Sequence, residues 1–104
     1  MDKETMKKEK ESLKGVIYRL NKKCKEIEQL IPQAEKVVEL LKPLENSKDS
    51  RERMKFLSAQ LELSTLKNDL ANARVLITMK SNQLESLEKR IGEEKSGSEP
   101  GLGE

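Results

Sequence analysis

Nucleophiles, acids and metal ligands are the first residues to test for chemistry, and in this chain they are few or scattered. The one cysteine, Cys24, stands among Lys22, Lys23 and Lys25. Neighbouring lysines can lower a thiol pKa and make it reactive when the site is accessible. Yet Cys24 also falls inside a regular apolar series, where a thiol acts as a small buried hydrophobe. The 104 residues contain no histidine, so neither a Cys–His nucleophile nor a Cys/His metal set has its partner. Carboxylates are plentiful, but acid–base work needs them held in a cleft with displaced pKa values. Here they are spread among lysines on helical surfaces, and no glycine-rich phosphate loop or metal-ligand spacing occurs. The expectation is a chain that is not an enzyme, with no cofactor, no metal and no small-molecule substrate.

Composition agrees. Charged residues make up 38% and aromatic residues 2%, with one Tyr, one Phe and no Trp. Too few large apolar side chains are present to fill a thick globular core. A chain rich in Glu, Lys and Leu suits long helices, provided its apolar residues recur with helical period; without that period it would read as disordered.

The period is there. From Leu13 the apolar residues run Leu13, Ile17, Leu20, Cys24, Ile27, Ile31, Ala34, Val38, Leu41, with spacings that alternate 4 and 3. That is the rhythm of a helix with a buried seam. With Ile17 at heptad position a, Leu13 and Leu20 fall at d, and Met6 extends that column toward the start. Pro32 lies within the series, at the outward position b. A proline there removes one hydrogen bond and crowds a carbonyl, so a kink is expected. The seam keeps its phase across it, which predicts one kinked helix rather than two.

Pro43 and the polar cluster Asn46, Ser47, Asp49 and Ser50 interrupt the rhythm, and Asp49 with Glu52 has capping-box spacing. A second seam then runs Phe56, Ala59, Leu63, Leu66, Leu70, Ala73, Ile77, Lys80, Leu84, Leu87, Ile91. Gly92, preceded by Lys89 and Arg90, reads as a helix stop. The predicted organisation is a charged, fraying helix start over 1–12, a first helix over 13–45 kinked at Pro32 and a turn over 46–49. A second helix over 50–91 and a disordered acidic tail over 92–104 complete it.

Folding the chain back at the turn yields one antiparallel register that layers Leu41 on Phe56, Val38 on Ala59 and Ile27 on Leu70, and ends with Met6 on Ile91. Only two layers are mixed, Ile17 with Lys80 and Lys10 with Leu87. Those two lysines are the candidates for setting register and oligomeric state, since a polar residue in a seam penalises other alignments. The alternative is one continuous helix in a parallel coiled-coil dimer, with the four-residue step at Asp49 absorbed as a stutter. In that arrangement each lysine would meet its own copy, so the reading is all-α: two long amphipathic heptad helices forming an antiparallel hairpin, a coiled coil or part of a helical bundle.

Position g supplies a third apolar column: Val16, Leu30, Val37 and Leu44 in the first helix and Leu76 in the second, with Met79 nearby. Two helices need only a and d, so the surplus predicts a further helical neighbour. These six residues are the candidate partner-binding set. The partners expected are the chain itself or other coiled-coil proteins, and the role is that of a scaffold, tether or adaptor subunit.

Charge offers a second reading. Residues 1–25 hold nine Lys/Arg against four Asp/Glu, residues 26–92 balance, and residues 93–104 are acidic. A basic first helix could hold nucleic acid or an anionic membrane weakly. Only Tyr18 is available to stack on a base, and acids interleave the lysines, so no specific nucleic-acid recognition is expected. No apolar run is long enough to span a membrane, and no signal-peptide core opens the chain. With no disulfide framework either, the expected location is intracellular, most simply cytoplasmic.

Overall fold

The computed structural model describes residues 2–97, with side chains described as far as residue 92. Helix α1 spans Lys3–Leu41, a 3-10 turn follows at Lys42–Leu44, and helix α2 spans Ser50–Gly97. The two helices lie in close antiparallel contact as a hairpin, and no strand occurs among the described residues. The continuous-rod alternative is therefore not the one adopted.

Asp2 caps the start of α1. Its Oδ1 accepts the backbone N–H of Thr5 at 2.8 Å, which satisfies one of the amides left open at a helix start. That hydrogen bond holds the Asp2 carboxyl below its ordinary pKa. Further along, Pro32 sits inside α1 on an exposed face, and the helix continues through it for another nine residues to Leu41. An interior proline costs roughly 3 kcal/mol. The half-buried seam residues Ile31, Ala34 and Val38 carry the packing across the break.

The link between the helices is tied down by Ser47. Its Oγ accepts the Asp49 N–H at 3.1 Å and donates to Glu52 Oε2 at 2.5 Å, while Asp49 Oδ1 accepts the Arg51 N–H at 2.9 Å. Half of the expected capping box is present. Asp49 caps α2, but Glu52 reaches back to the Ser47 hydroxyl, because that hydroxyl already occupies the Asp49 amide. Arg53 turns its Nη1 to the Ser47 carbonyl at 2.6 Å.

At its other end α2 departs from expectation. Gly92 does not stop the helix, which runs on to Gly97. A glycine ends a helix when its backbone turns left-handed, whereas Gly92 has no positive φ and no atom near where a side chain would stand. It costs the helix about 1 kcal/mol relative to alanine without breaking it. The remainder of the expected tail, residues 98–104, lies outside the described residues.

Packing divides the molecule into two units. One unites α1 up to Asn21 with α2 from Val75 onward; the other contains Lys22–Arg74, with the turn. In the first, Met6 and Leu87 are buried; in the second, Cys24, Ile27, Phe56, Ala59, Leu70 and Ala73 are. Every one of these residues is at a or d of the heptads, and no polar or charged residue is buried among them. Apolar periodicity thus accounts for the whole core.

Candidate interaction surface

A two-helix seam covers only a and d, so apolar residues elsewhere are left facing solvent. In the Lys22–Arg74 unit these are Leu30, Val37 and Leu40 on α1 and Met54, Leu57 and Leu61 on α2. Leu40 is 78% exposed and Leu61 69%, close to full exposure for residues that stabilise a fold only when covered. All but Leu57 occupy positions g, c or f, which are adjacent on the helical wheel. Val37 and Leu41 line one open groove with Arg51, Met54, Lys55, Ser58 and Glu62. This groove follows the g edge of the unit.

The opposite edge is different. Its e positions hold Glu28 and Glu35 on α1, Lys42 at the start of the 3-10 turn, and Arg53, Gln60, Lys67 and Arg74 on α2, and none is apolar. Arg74 Nη2 donates to Glu28 Oε1 at 3.0 Å, joining the helices. Lys67 also sits at e, one heptad before Arg74, but the planar, longer guanidinium suits the carboxylate better.

The unit formed by α1 up to Asn21 and α2 from Val75 has a different g edge. Its groove is lined by Glu9, Leu13, Asn82, Gln83, Ser86 and Arg90, and is mainly polar. Val75, Leu76 and Met79 are exposed on α2, Tyr18 is exposed on α1, and Val16 is half-buried.

The six expected partner-binding residues therefore have different settings. Leu30, Val37, Leu76 and Met79 are exposed, while Val16 and Leu44 are half-buried. Only Val37 lines the apolar groove beside residues of α2. Met54 lines the same groove, and Leu40 and Leu61 are exposed on the same unit; all three stand outside the g-based set. The signal was present, since c adjoins g on the wheel and f adjoins c, so apolar residues there widen the same face. Lys10 and Lys80, the candidate register residues, are both half-buried and make no ion pair. Their stems lie along the seam while the ammonium groups stay within reach of water.

Cys24 is free and buried, and no group of acidic, cysteine or histidine side chains among the described residues could hold a metal ion. Among the described residues, no helix is long and apolar enough to cross a membrane. Set against known proteins, the chain has no significant match to a family model, a curated protein or a solved structure.

Proposed function

We propose that the protein is a non-enzymatic helix-binding module, acting as a scaffold, tether or adaptor subunit through helix–helix assembly. The observation that carries this reading is the asymmetry of the Lys22–Arg74 unit. One edge has only polar residues at its e positions and is bridged by an ion pair, whereas the other exposes Leu30, Val37, Leu40, Met54 and Leu61, with a groove lined by Val37 and Met54. Contiguous exposed apolar surface rimmed by charge is the physical signature of a docking face. A groove between two helices best fits the apolar stripe of a third, whose side chains enter it at helical spacing.

A role through the basic start of α1 has less support. Its lysines alternate with Glu4, Glu9 and Glu11, and Lys14 lies 3.9 Å from Glu11. Phosphates would meet a mixed field there rather than a basic stripe.

The test is a photo-crosslinking amino acid placed at Val37 of the full chain in cells, with Gln60 on the polar edge as control. The expected result is an adduct to a helical polypeptide, whether another copy or a different chain, from Val37 and not from Gln60. No protein adduct at Val37 or at Leu30 would reject the module.

A further inference from the structure

We infer that the helix-binding face of the Lys22–Arg74 unit takes a second copy of this chain, docked antiparallel across a two-fold axis at the level of Ser58. This rests on the proposed function and names its partner. Side chains along the exposed face of α2 follow an order that reads the same in reverse. Met54 and Lys55 precede Ser58; Leu61 and Glu62 follow it. Met54 and Leu61 are both at f, Lys55 and Glu62 are both at g, and Ser58 lies midway at c.

An antiparallel pair related by a two-fold axis sets each flank of a helix against the same flank of its mate. Centred on Ser58, the f flank brings Met54 of one copy against Leu61 of the other. The g flank brings Lys55 against Glu62. Both contacts occur twice. The lysine and the glutamate are seven residues apart, about 10 Å along the axis, so they cannot satisfy each other within one chain. Neither makes an ion pair in the structure. The stripe is complementary to its own reverse, in charge and in apolar character. Serine at the centre has a short side chain and lets the two helices approach closely.

Helix α1 supports the same axis. Val37 and Leu41 line the groove with Ser58 and Ala59, which puts the segment around Val37 and Leu40 level with the proposed centre. The same rotation sets that segment of α1 level with the same segment of its copy. Leu40, the most exposed large apolar residue of the described chain, lies at this level. The result is a contact between two hairpins in which one apolar pair and one ion pair are each made twice.

Charge reversal tests the pairing. Full-length wild-type chain should sediment as a dimer at equilibrium. Lys55→Glu and Glu62→Lys, each alone, place like charges at both symmetric contacts and should weaken the dimer by roughly ten- to a hundredfold. Both residues are exposed, so helicity by circular dichroism should not change. An equimolar mixture of the two variants restores opposite charges at both contacts and should recover association as a heterodimer. A monomeric wild type at high concentration would overturn the self-partner, while a Val37 adduct to a different chain would leave the helix-binding reading standing. A dimer indifferent to both reversals, or no recovery in the mixture, would overturn the two-fold pairing.

Discussion

The two edges of the Lys22–Arg74 unit are built from the same helices and the same heptad, and they differ only in what occupies e and g. Along e every side chain is polar, and Glu28 meets Arg74 at 3.0 Å. Along g, α1 carries Leu30 and Val37 while α2 carries Lys55, Glu62 and Asp69, and the neighbouring positions add Leu40, Met54 and Leu61. Solvent can satisfy the first edge by itself. It cannot satisfy the second without exposing several large apolar side chains, each of which would gain roughly 1.5–3 kcal/mol on full burial. A hairpin needs only its seam to fold. What is left on the other edge is available for association.

The sharpest break in that comparison comes from two leucines of one helix. Leu70 is buried at a in the seam, and Leu61 is exposed at f on the open face. Leu70→Ala should destabilise the fold by about 2–5 kcal/mol, because it removes packed atoms and leaves a cavity. Leu61→Ala should change the stability of the hairpin by less than about 0.5 kcal/mol, as expected of a surface residue. Thermal melts at low concentration, where association is minimal, measure both. Equal losses would mean that the face bearing Leu61 is not open but part of the core.

A second experiment asks whether the open edge is the one that associates. Val37→Glu with Leu40→Glu puts two carboxylates on that face at positions already in contact with water. Self-association should fall by more than about tenfold, or roughly 1.4 kcal/mol, while helicity is retained. Light scattering over a concentration series reports the first and circular dichroism the second. Association that survives both charges would exclude this edge as the interface.

The turn offers a smaller test of how the hairpin is held. Ser47→Ala removes the acceptor for the Asp49 amide and the donor to Glu52, and should cost about 1 kcal/mol, the usual worth of a lost cap. Denaturant titration of the variant against wild type gives the number. No measurable change would show that Asp49 alone sets the start of α2.

Much of this was legible in the order of residues, because burial follows apolar spacing wherever a helix has only one neighbour to pack against. The alternating 3 and 4 steps located both helices and carried α1 through Pro32, since the phase on the two sides of the proline agreed. Every buried residue was already in a seam. Features that depend on local geometry were less legible. Gly92 looks like a stop in sequence, yet without a left-handed backbone it remains helical. Ser47 was one of four polar residues in a cluster, and nothing in its type set it apart as the residue that bonds to both Asp49 and Glu52. The open face was half legible: position g marked Leu30 and Val37, but g alone left out Leu40, Met54 and Leu61, which share the surface through the curvature of the helix.

The smallest effect belongs to the polar edge, and it serves as the control for the rest. Arg74 and Glu28 form an ion pair whose side chains are 60% and 48% exposed, so water and salt screen them. Exposed pairs of this kind contribute about 0.2–1 kcal/mol. Arg74→Ala should therefore lower hairpin stability by no more than about that amount, and by less as ionic strength rises. It should leave self-association unchanged, because the e edge faces away from the groove of Val37 and Ser58. Chemical denaturation at low and high salt measures the first, and sedimentation equilibrium the second. If removing Arg74 dissolved the assembly while Val37→Glu with Leu40→Glu did not, the roles of the two edges would be reversed. The ion pair would then mark the interface, and the exposed leucines would be a surface the chain simply tolerates.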